Sequence, residues 1–568
     1  MSRSHLASLL ALLLACATQA AAQTLPGPDT PDPSIEHQRQ QQRTDQLRRQ
    51  LEAAEDVRRP AGPSQDLSTL PTGEQPCFPV EQVLLIDDAS HFPGLATALA
   101  GADHADPPEG RCLGSQGITL LLKRLQHALI ADGYLTSRVT VPNQDLNDGT
   151  LEISVRAGRL EGLRFADDSP ARTHLAGAMP ARQGEILNLR DIEQGLENLK
   201  RLASADADIE IHPAAIEGAS DLVVRYSRER PWRVTLAADD GGLKATGKLQ
   251  GSVTLAYDNP TGLNDLAYLT LSHDLMADGA DRGTWGALGH YSIPWGYWSA
   301  DLTVSRNRDR QTVQGATTDY IYGGYSNTAE LNLSRILHRD GKGKTALRLG
   351  AWRRSSHNFI DDTEVEVQRR QTGGWQLGAS HRRFIGAGTF DAALEYKRGT
   401  GAFGAIPAPE EAFGEATGRF RKTTLDVAYA RPFAVADTRL AYVAQVRAQW
   451  HHSRLNPQEM FVIGGRYTVR GFDGERVLAA ERGWLLRNEL ALPLGAFPAS
   501  AYLAIDAGRV DGPTAERLAG QTLAGAVLGL RGSWHDLQFD LFAGGPLHKP
   551  DGFDTSARTA GFRVNLTL

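Results

Sequence analysis

Along the greater part of the chain, hydrophobic and polar residues alternate with a period of two. From Leu440 to Trp450, the residues Leu440, Tyr442, Ala444, Val446, Ala448 and Trp450 fall on one face, with Gln445, Arg447 and Gln449 on the other. A strand of that length, when tilted, crosses a hydrocarbon core of roughly 30 Å. The texture begins after Pro231, in the triplets Trp232, Val234, Leu236, then Val253, Leu255, Tyr257, then Leu266, Tyr268, Thr270, broken by turns such as Asp258-Asn259-Pro260-Thr261-Gly262. It recurs at Ala346 to Trp352, Phe390 to Tyr396, Leu425 to Tyr429, Trp484 to Leu492 and Phe539 to Phe542, and ends in the alternating run Phe562 to Leu568. At roughly 20 residues per strand with its connection, residues 231–568 predict about 16 antiparallel strands. A soluble propeller would need a blade repeat, and none is found. Closure into a transmembrane β-barrel removes both sheet edges.

Two smaller units precede this region. In residues 76–157, Val83 to Ile86 reads as a strand, and Ile118, Leu121, Leu122, Leu125, Ala128 and Leu129 form one helical stripe ending at Gly133. Thr136 to Val141 and Leu151, Ile153, Val155 alternate as strands. The order repeats in residues 158–230: Leu160 to Phe165, a helix marked by Leu189, Ile192, Leu196, Leu199 and Leu202, then Ile209, Ile211 and Leu222, Val224, Tyr226. These are two small α+β domains in tandem.

Residues 23–60 have another texture. After a Pro-rich extended start, Ser34 to Arg59 is rich in Gln, Glu, Arg, Leu and Ala, with Ser34 as N-cap and Pro60 as the stop. Its apolar residues are too few for an ordinary core face, so the helix is either a solvated spacer or a rod in a water-filled cavity. Residues 61–75 read as a linker from their Pro, Gly and Ser.

Composition narrows the class. Mean hydropathy is −0.33, which alternating barrel strands produce as readily as a soluble protein does. No window beyond the first residues is long and apolar enough for a membrane helix. A formal charge of −7 carries no basic footprint for nucleic acid. Arg3, the apolar run Leu6 to Leu14 and Ala20-Ala21-Ala22 read as a signal peptide over residues 1–22; Leu13-Leu14-Ala15-Cys16 also fits a lipoprotein site with Cys16 acylated. Once the leader is removed, Cys77 and Cys112 remain, an even pair that predicts a disulfide in an exported chain, against two separate buried thiols.

Catalytic patterns are missing from the sequence. The 16 histidines are scattered, with neither His-Glu-x-x-His nor Gly-x-Ser-x-Gly. Gly242 to Lys248 has phosphate-loop spacing, but Leu249 stands where a magnesium-binding hydroxyl belongs, so the segment reads as a hairpin. The reading is of a non-enzyme with no cofactor and no metal site.

Several motifs, in order, carry a resemblance. Cys77-Phe78-Pro79-Val80, Gly133 to Val139 and Pro142 to Leu146 look like a first POTRA domain, and Leu189 to Leu199 like the helix of a second. Gly218 to Leu222 and Asp258 to Gly262 follow, and then Val469-Arg470-Gly471-Phe472. The chain resembles the transporter component of two-partner secretion, the haemolysin-activation and filamentous-haemagglutinin exporter family, within a superfamily that includes the barrel-assembly insertase.

The resemblance implies that the tetrapeptide tips an extracellular loop folded back into the pore, where Arg470 meets Asp506, in Tyr502 to Gly508. By turn chemistry alone it is merely a turn. It also implies that the 34–59 helix plugs the resting pore, and that Tyr134, Arg138, Gln144 and Leu146 face a secreted, unfolded exoprotein. Outer-membrane lipids and the barrel-assembly machinery are the other implied partners, with the barrel in the outer membrane and the N-terminal domains in the periplasm. The alternative is an assembly factor of the same superfamily. Leu568 departs from the family, whose chains usually end in an aromatic residue.

Overall fold

The computed structural model describes residues 33–52, 56–59, 68–101, 104–169, 173–276, 281–315, 317–495 and 497–568. The signal peptide, Cys16, the Pro60 stop and residues 61–67 of the expected linker lie outside them, as does the side chain of Ser34.

Sixteen long strands close into an antiparallel barrel, from Trp232–Asp239 to Thr559–Thr567, with one short two-residue addition at Thr363–Glu364. The last strand pairs with the first, Arg563 opposite Asp239 through Thr567 opposite Thr235, so neither edge is left open. That closure is what a sheet in lipid requires, because hydrocarbon offers no partner to a free N–H or C=O. Val253, Leu255, Leu269, Leu271, Leu331, Leu349 and Leu528 stand exposed on the outer wall, an apolar belt larger than a soluble monomer tolerates. Trp232, Trp295, Trp298 and Trp534 mark one rim, and Trp285, Trp375, Trp450 and Trp484 the other, as the interfacial girdles of such barrels do. Among the described residues no helix is long and apolar enough to cross a membrane.

One triplet faces the opposite way to its neighbours. Val253, Leu255 and Tyr257 point outward, but Leu266, Tyr268 and Thr270 are buried on the inner wall, while Leu269 and Leu271 take the outer one. Both faces of this strand are apolar because the inner one packs on Leu202 of the preceding domain. Alternation alone does not say which face is which.

The two α+β domains share one topology. In the first, Thr150–Arg156 lies between a parallel strand, Gln82–Asp87, and an antiparallel one, Arg138–Thr140. Helix Ser115–Ala131 covers one face, burying Leu121, Leu125 and Leu129 against Leu151, Ile153 and Val155. In the second, Ala219–Arg228 lies between Arg159–Phe165 and Ala205–Pro213 under helix Leu189–Lys200. Asn188 caps that helix by accepting from the Arg190 N–H at 2.8 Å.

The segment expected as a linker belongs to the first domain in its described part. Leu70 is buried in the core, and the Glu74 carboxylate accepts the N–H groups of Gly114, Gln116 and Gly117 at 2.8 to 3.0 Å. These are the free donors of a helix start, satisfied from outside the helix. Cys77 and Cys112 are disulfide-bonded across the strand pair Phe78–Val80 and Arg111–Leu113.

The leading helix is shorter than its composition predicts: it runs from Pro33 to Leu51, not to Arg59. Residues 56–59 carry no regular structure. The Val57 N–H donates to Glu197 at 3.1 Å and the Arg59 N–H to Glu193 at 2.8 Å, while Arg339 donates to the Val57 carbonyl at 2.6 Å. Side chains of the second domain and the barrel rim take the place of the intrahelical bonds.

The disulfide closes a loop between residues 35 apart, and chain entropy assigns such a loop about 4 kcal/mol. Replacing both cysteines by serine is expected to lower the urea midpoint at which the first domain of the full chain becomes protease-sensitive; an unchanged midpoint would show that the cross-link does not stabilise it. Asp106 offers a pH test. Burial would raise its carboxyl, but hydrogen bonds from Arg124 and the Leu70 N–H, with the charge of Arg111, hold it below the usual carboxylate range. A depressed folded value stabilises above the unfolded value of about 4 and is lost as pH falls. The first domain should therefore weaken below about pH 4, and Asp106→Asn should flatten that dependence.

Candidate functional site

The extracellular loop between strands Thr438–His451 and Arg482–Pro493 is the longest among the described residues. It carries its own hairpin, Phe461–Ile463 against Leu478–Ala480, and turns back inside the barrel. At the tip, Arg470 contacts Asp506 halfway along strand Ala499–Asp511. The guanidinium Nε and Nη2 donate to the two Asp506 oxygens at 2.7 and 2.9 Å, and the Arg470 N–H adds a third bond at 3.0 Å. Arg470 Nη1 also donates to Glu489 at 2.6 Å. A planar fork satisfies both carboxylate oxygens at once, which an ammonium cannot do. The Asp506 side chain is fully shielded, so removing Arg470 would leave a buried charge with only the longer contact to Arg487 at 3.7 Å.

The residues beside Arg470 fix the turn. Val469 and Phe472 enter an apolar cluster with Ile463, Leu485, Val510, Leu523 and Phe553. Gly471 has φ +95°, and a Cβ there would meet the Gly545 carbonyl at 2.5 Å and the Ala526 nitrogen at 3.1 Å. The turn thus lies against the backbone of the barrel wall, and a side chain is excluded on both counts. Asp506 and all four residues of the tetrapeptide come together here.

Sequence reading missed the other ties of this loop. Glu489 is paired with Arg531 as well as Arg470. Arg466 bonds Asp240 beside the first strand, and Asp473 accepts from Thr555 and Ser556 near the last. None of these charges belongs to a sequence pattern, and only barrel closure brings the partners together.

The leading helix occupies the lumen. Its 19 residues span about 28 Å, close to the thickness of the hydrocarbon core. Arg39 donates to the carbonyls of Gly241 and Gly474, Arg43 to Asp239 at 3.1 Å and Gln250 at 3.0 Å, and Arg48 to Asp301 at 3.2 Å. At the periplasmic end, Glu52 accepts from Tyr268 at 2.9 Å and lies 3.2 Å from His290. A helix polar all round is matched to a polar wall. A cavity of about 540 Å³ lies beside it, bounded by strands from both ends of the barrel sequence.

Beyond the helix, the chain passes between the second domain and the barrel rim. Asp56 pairs with Lys344 and Arg382, Arg339 with Glu193 and Glu197, and the Arg58 guanidinium lies 4.4 Å from the Phe384 ring centre. The helix Leu189–Lys200 therefore uses two faces, apolar inward and polar toward the barrel, where Asn198 donates to Gly296 at 2.8 Å.

The four periplasmic candidates do not form one surface. Tyr134 packs edge-on against Phe92 at 4.8 Å and joins the core, as does Leu146. The Gln144 amide is committed to the Glu152 backbone in both directions, at 2.8 and 2.7 Å. Arg138 alone is exposed, on an edge strand. The short polar motif around Gln144 reads as a recognition sequence but closes a turn against its own sheet.

Gly242 to Lys248 lies in the connection between the first two barrel strands, where the Lys244 N–H donates to Glu475 at 3.2 Å. Phosphate-loop spacing here serves loop–loop contact. Among the described residues no group of three His, Cys, Asp or Glu is placed to hold a metal ion.

Comparison with known proteins gives the context for this geometry. Residues 218–532 match the family model for haemolysin secretion/activation protein ShlB/FhaC/HecB, residues 159–213 a POTRA domain and residues 96–158 a ShlB-type POTRA domain. The chain is 36% identical to the outer membrane transporter CdiB-2 of Burkholderia pseudomallei over 93% of its own length and 92% of that protein. It is 32% identical to CdiB of Escherichia coli over 96% and 91%. The solved structure of CdiB from Acinetobacter baumannii superposes with a TM-score of 0.82 at 31% identity, covering 95% of this chain and all of that one. A closed sixteen-stranded barrel, two POTRA domains and these matches together establish that the chain belongs to the ShlB/FhaC/HecB family of outer-membrane transporters, its POTRA domains in the periplasm.

Proposed function

We propose that this transporter secretes a large partner exoprotein of the haemolysin or contact-dependent toxin class, passing it unfolded through the barrel once helix and loop have moved. The observation that carries this is the content of the lumen: a polar helix from outside the barrel sequence and a folded-back loop, both held to the wall by hydrogen bonds and ion pairs, with neither forming part of the strand ladder. Contacts of that kind exchange for water at small net cost, so an occupant can leave and return. The relatives named as haemolysin transporters support this class of cargo.

In this reading Arg470, with Asp506 and Glu489, locks the loop, Val469 and Phe472 seat it, and Gly471 lets it approach the wall. Among the described residues, the edge strands Arg138–Thr140 and Ala205–Pro213 each have one side without a strand partner, and an unfolded chain can add to such edges through its backbone. Arg138 would lie at the first of them. The chain's own chemistry is mechanical, without a catalytic step or a cofactor. Insertion would fall to the barrel-assembly machinery, and outer-membrane lipid would cover the apolar belt.

Two outcomes are expected. Deleting both periplasmic domains abolishes export of a coexpressed cognate exoprotein; undiminished export would eliminate the mechanism. Arg470→Ala loosens the loop by about 3 kcal/mol and cuts secretion while the barrel still inserts, with Arg470→Lys intermediate because one ammonium cannot serve both carboxylates. Wild-type secretion by Arg470→Ala would show that the lock is irrelevant here.

A further inference from the structure

The loop is fixed to the barrel at a second place, with the charges inverted. Just before its hairpin, the short turn Pro457–Glu459 presents Glu459 to three cations on three different strands. Arg354 lies at 3.2 Å, Lys397 at 3.0 Å and Lys422 at 2.8 Å from the carboxylate oxygens. Lys397 is also held 4.3 Å above the Trp352 ring. The Glu459 carbonyl accepts from Gln449 at 3.0 Å and Lys422 at 3.2 Å, and Gln458 donates to Ser356 at 2.9 Å. The site is buried, Glu459 at 3% exposure.

This turn also touches the leading helix. Gln38 donates to the Pro457 carbonyl at 2.8 Å and lies 3.5 Å from that of Met460, one residue on either side of the anchored pair. The Arg470 site is on the other side of the loop, against strands Arg482–Pro493 and Ala499–Asp511. Its turn does not carry these Gln38 contacts.

We infer that Glu459 is a positioning residue for the resting plug: by neutralising Arg354, Lys397 and Lys422 it fixes the turn on which Gln38 and the outer half of the helix rest. One carboxylate screens three cations in a confined space. Without it they repel one another and retreat toward water, and the turn loses its tie to three strands. The helix then keeps its contacts at Arg39, Arg43 and Arg48 but loses the Gln38 tie to the turn, and the lumen opens more often. This inference rests on the plug reading of the helix, and it assigns the closed state to a group other than the Arg470 lock.

The test is single-channel conductance of the full-length protein in planar lipid bilayers, with no exoprotein present. Glu459→Gln keeps the side chain's shape and removes its charge; the time spent open is expected to rise about tenfold, the loss of charge-assisted bonds shifting a two-state equilibrium. Gln38→Ala, which leaves the barrel wall untouched, should open the channel about threefold, and the double variant with Glu459→Gln should open it less than the product of the two. Heat-modifiable gel migration reports whether each barrel is folded; should Glu459→Gln fail to fold, Gln38→Ala carries the test.

A folded Glu459→Gln channel as quiet as wild type overturns the inference. So does a quiet Gln38→Ala or a double variant equal to the product. Because no exoprotein is involved, any of these leaves the transporter reading to its own secretion assay.

Discussion

A sheet in hydrocarbon must pair every backbone donor and acceptor within itself, and sixteen strands closed into a ring do so. The same closure creates a difficulty. A barrel of eight strands is filled by its own side chains, whereas one twice that size encloses a wide, wet interior. What occupies that interior has to come from elsewhere in the chain. In this protein it comes from two sources, the helix Pro33–Leu51 from the N-terminal side and the loop of residues 452–481 from the extracellular side.

The way these occupants are held follows from the wetness of the lumen. An apolar plug would bury surface against the wall and stay there. The helix instead presents Arg39, Arg43 and Arg48 to carbonyls and carboxylates of the wall. The loop presents Arg470 to carboxylates and Glu459 to cations. Such pairs are specific in geometry and modest in net energy, since the cost of taking each partner out of water offsets much of the attraction. Apolar packing is heavier on the loop, where Phe461, Ile463, Val469 and Phe472 meet Phe553 and Leu523, than on the helix, where Leu51 packs beside Leu202 and Leu266. The loop is thus the firmer occupant and the helix the looser one.

At the periplasmic rim the same economy joins three parts of the chain. Glu193 and Glu197, on the polar face of the second POTRA helix, receive the backbone of residues 57 and 59 and the side chain of Arg339 from the barrel. The strand turn at Gly296 is bonded to Asn198 on the same helix. The chain beyond the leading helix, the second domain and the barrel therefore share one cluster of charges. Displacement of any one of them alters the pairing of the other two.

The barrel was legible because its strands alternate and its turns are punctuated; the two POTRA domains because strand and helix periods recur in the same order; and the tetrapeptide because a family resemblance singled it out. Period-two alternation reports that a strand has two unlike faces, but not which one meets lipid, so Leu266 and Tyr268 were assignable only once Leu202 was seen beneath them. The helix end at Leu51 was hidden for a related reason. Residues 56–59 continue a helix-forming run, but their backbone is claimed by Glu193, Glu197 and Arg339, and propensity yields to such partners. The sequence by itself determined the strands, the domain order and the cysteine pair, since these depend on local period and composition. The tertiary structure alone decided which charges meet: Arg470 with Glu489, Glu459 with Lys397 and Lys422, and Arg43 with Asp239 are far apart in sequence or carry no pattern. A lone charge has no periodicity, and its partner is set by where the ring closes.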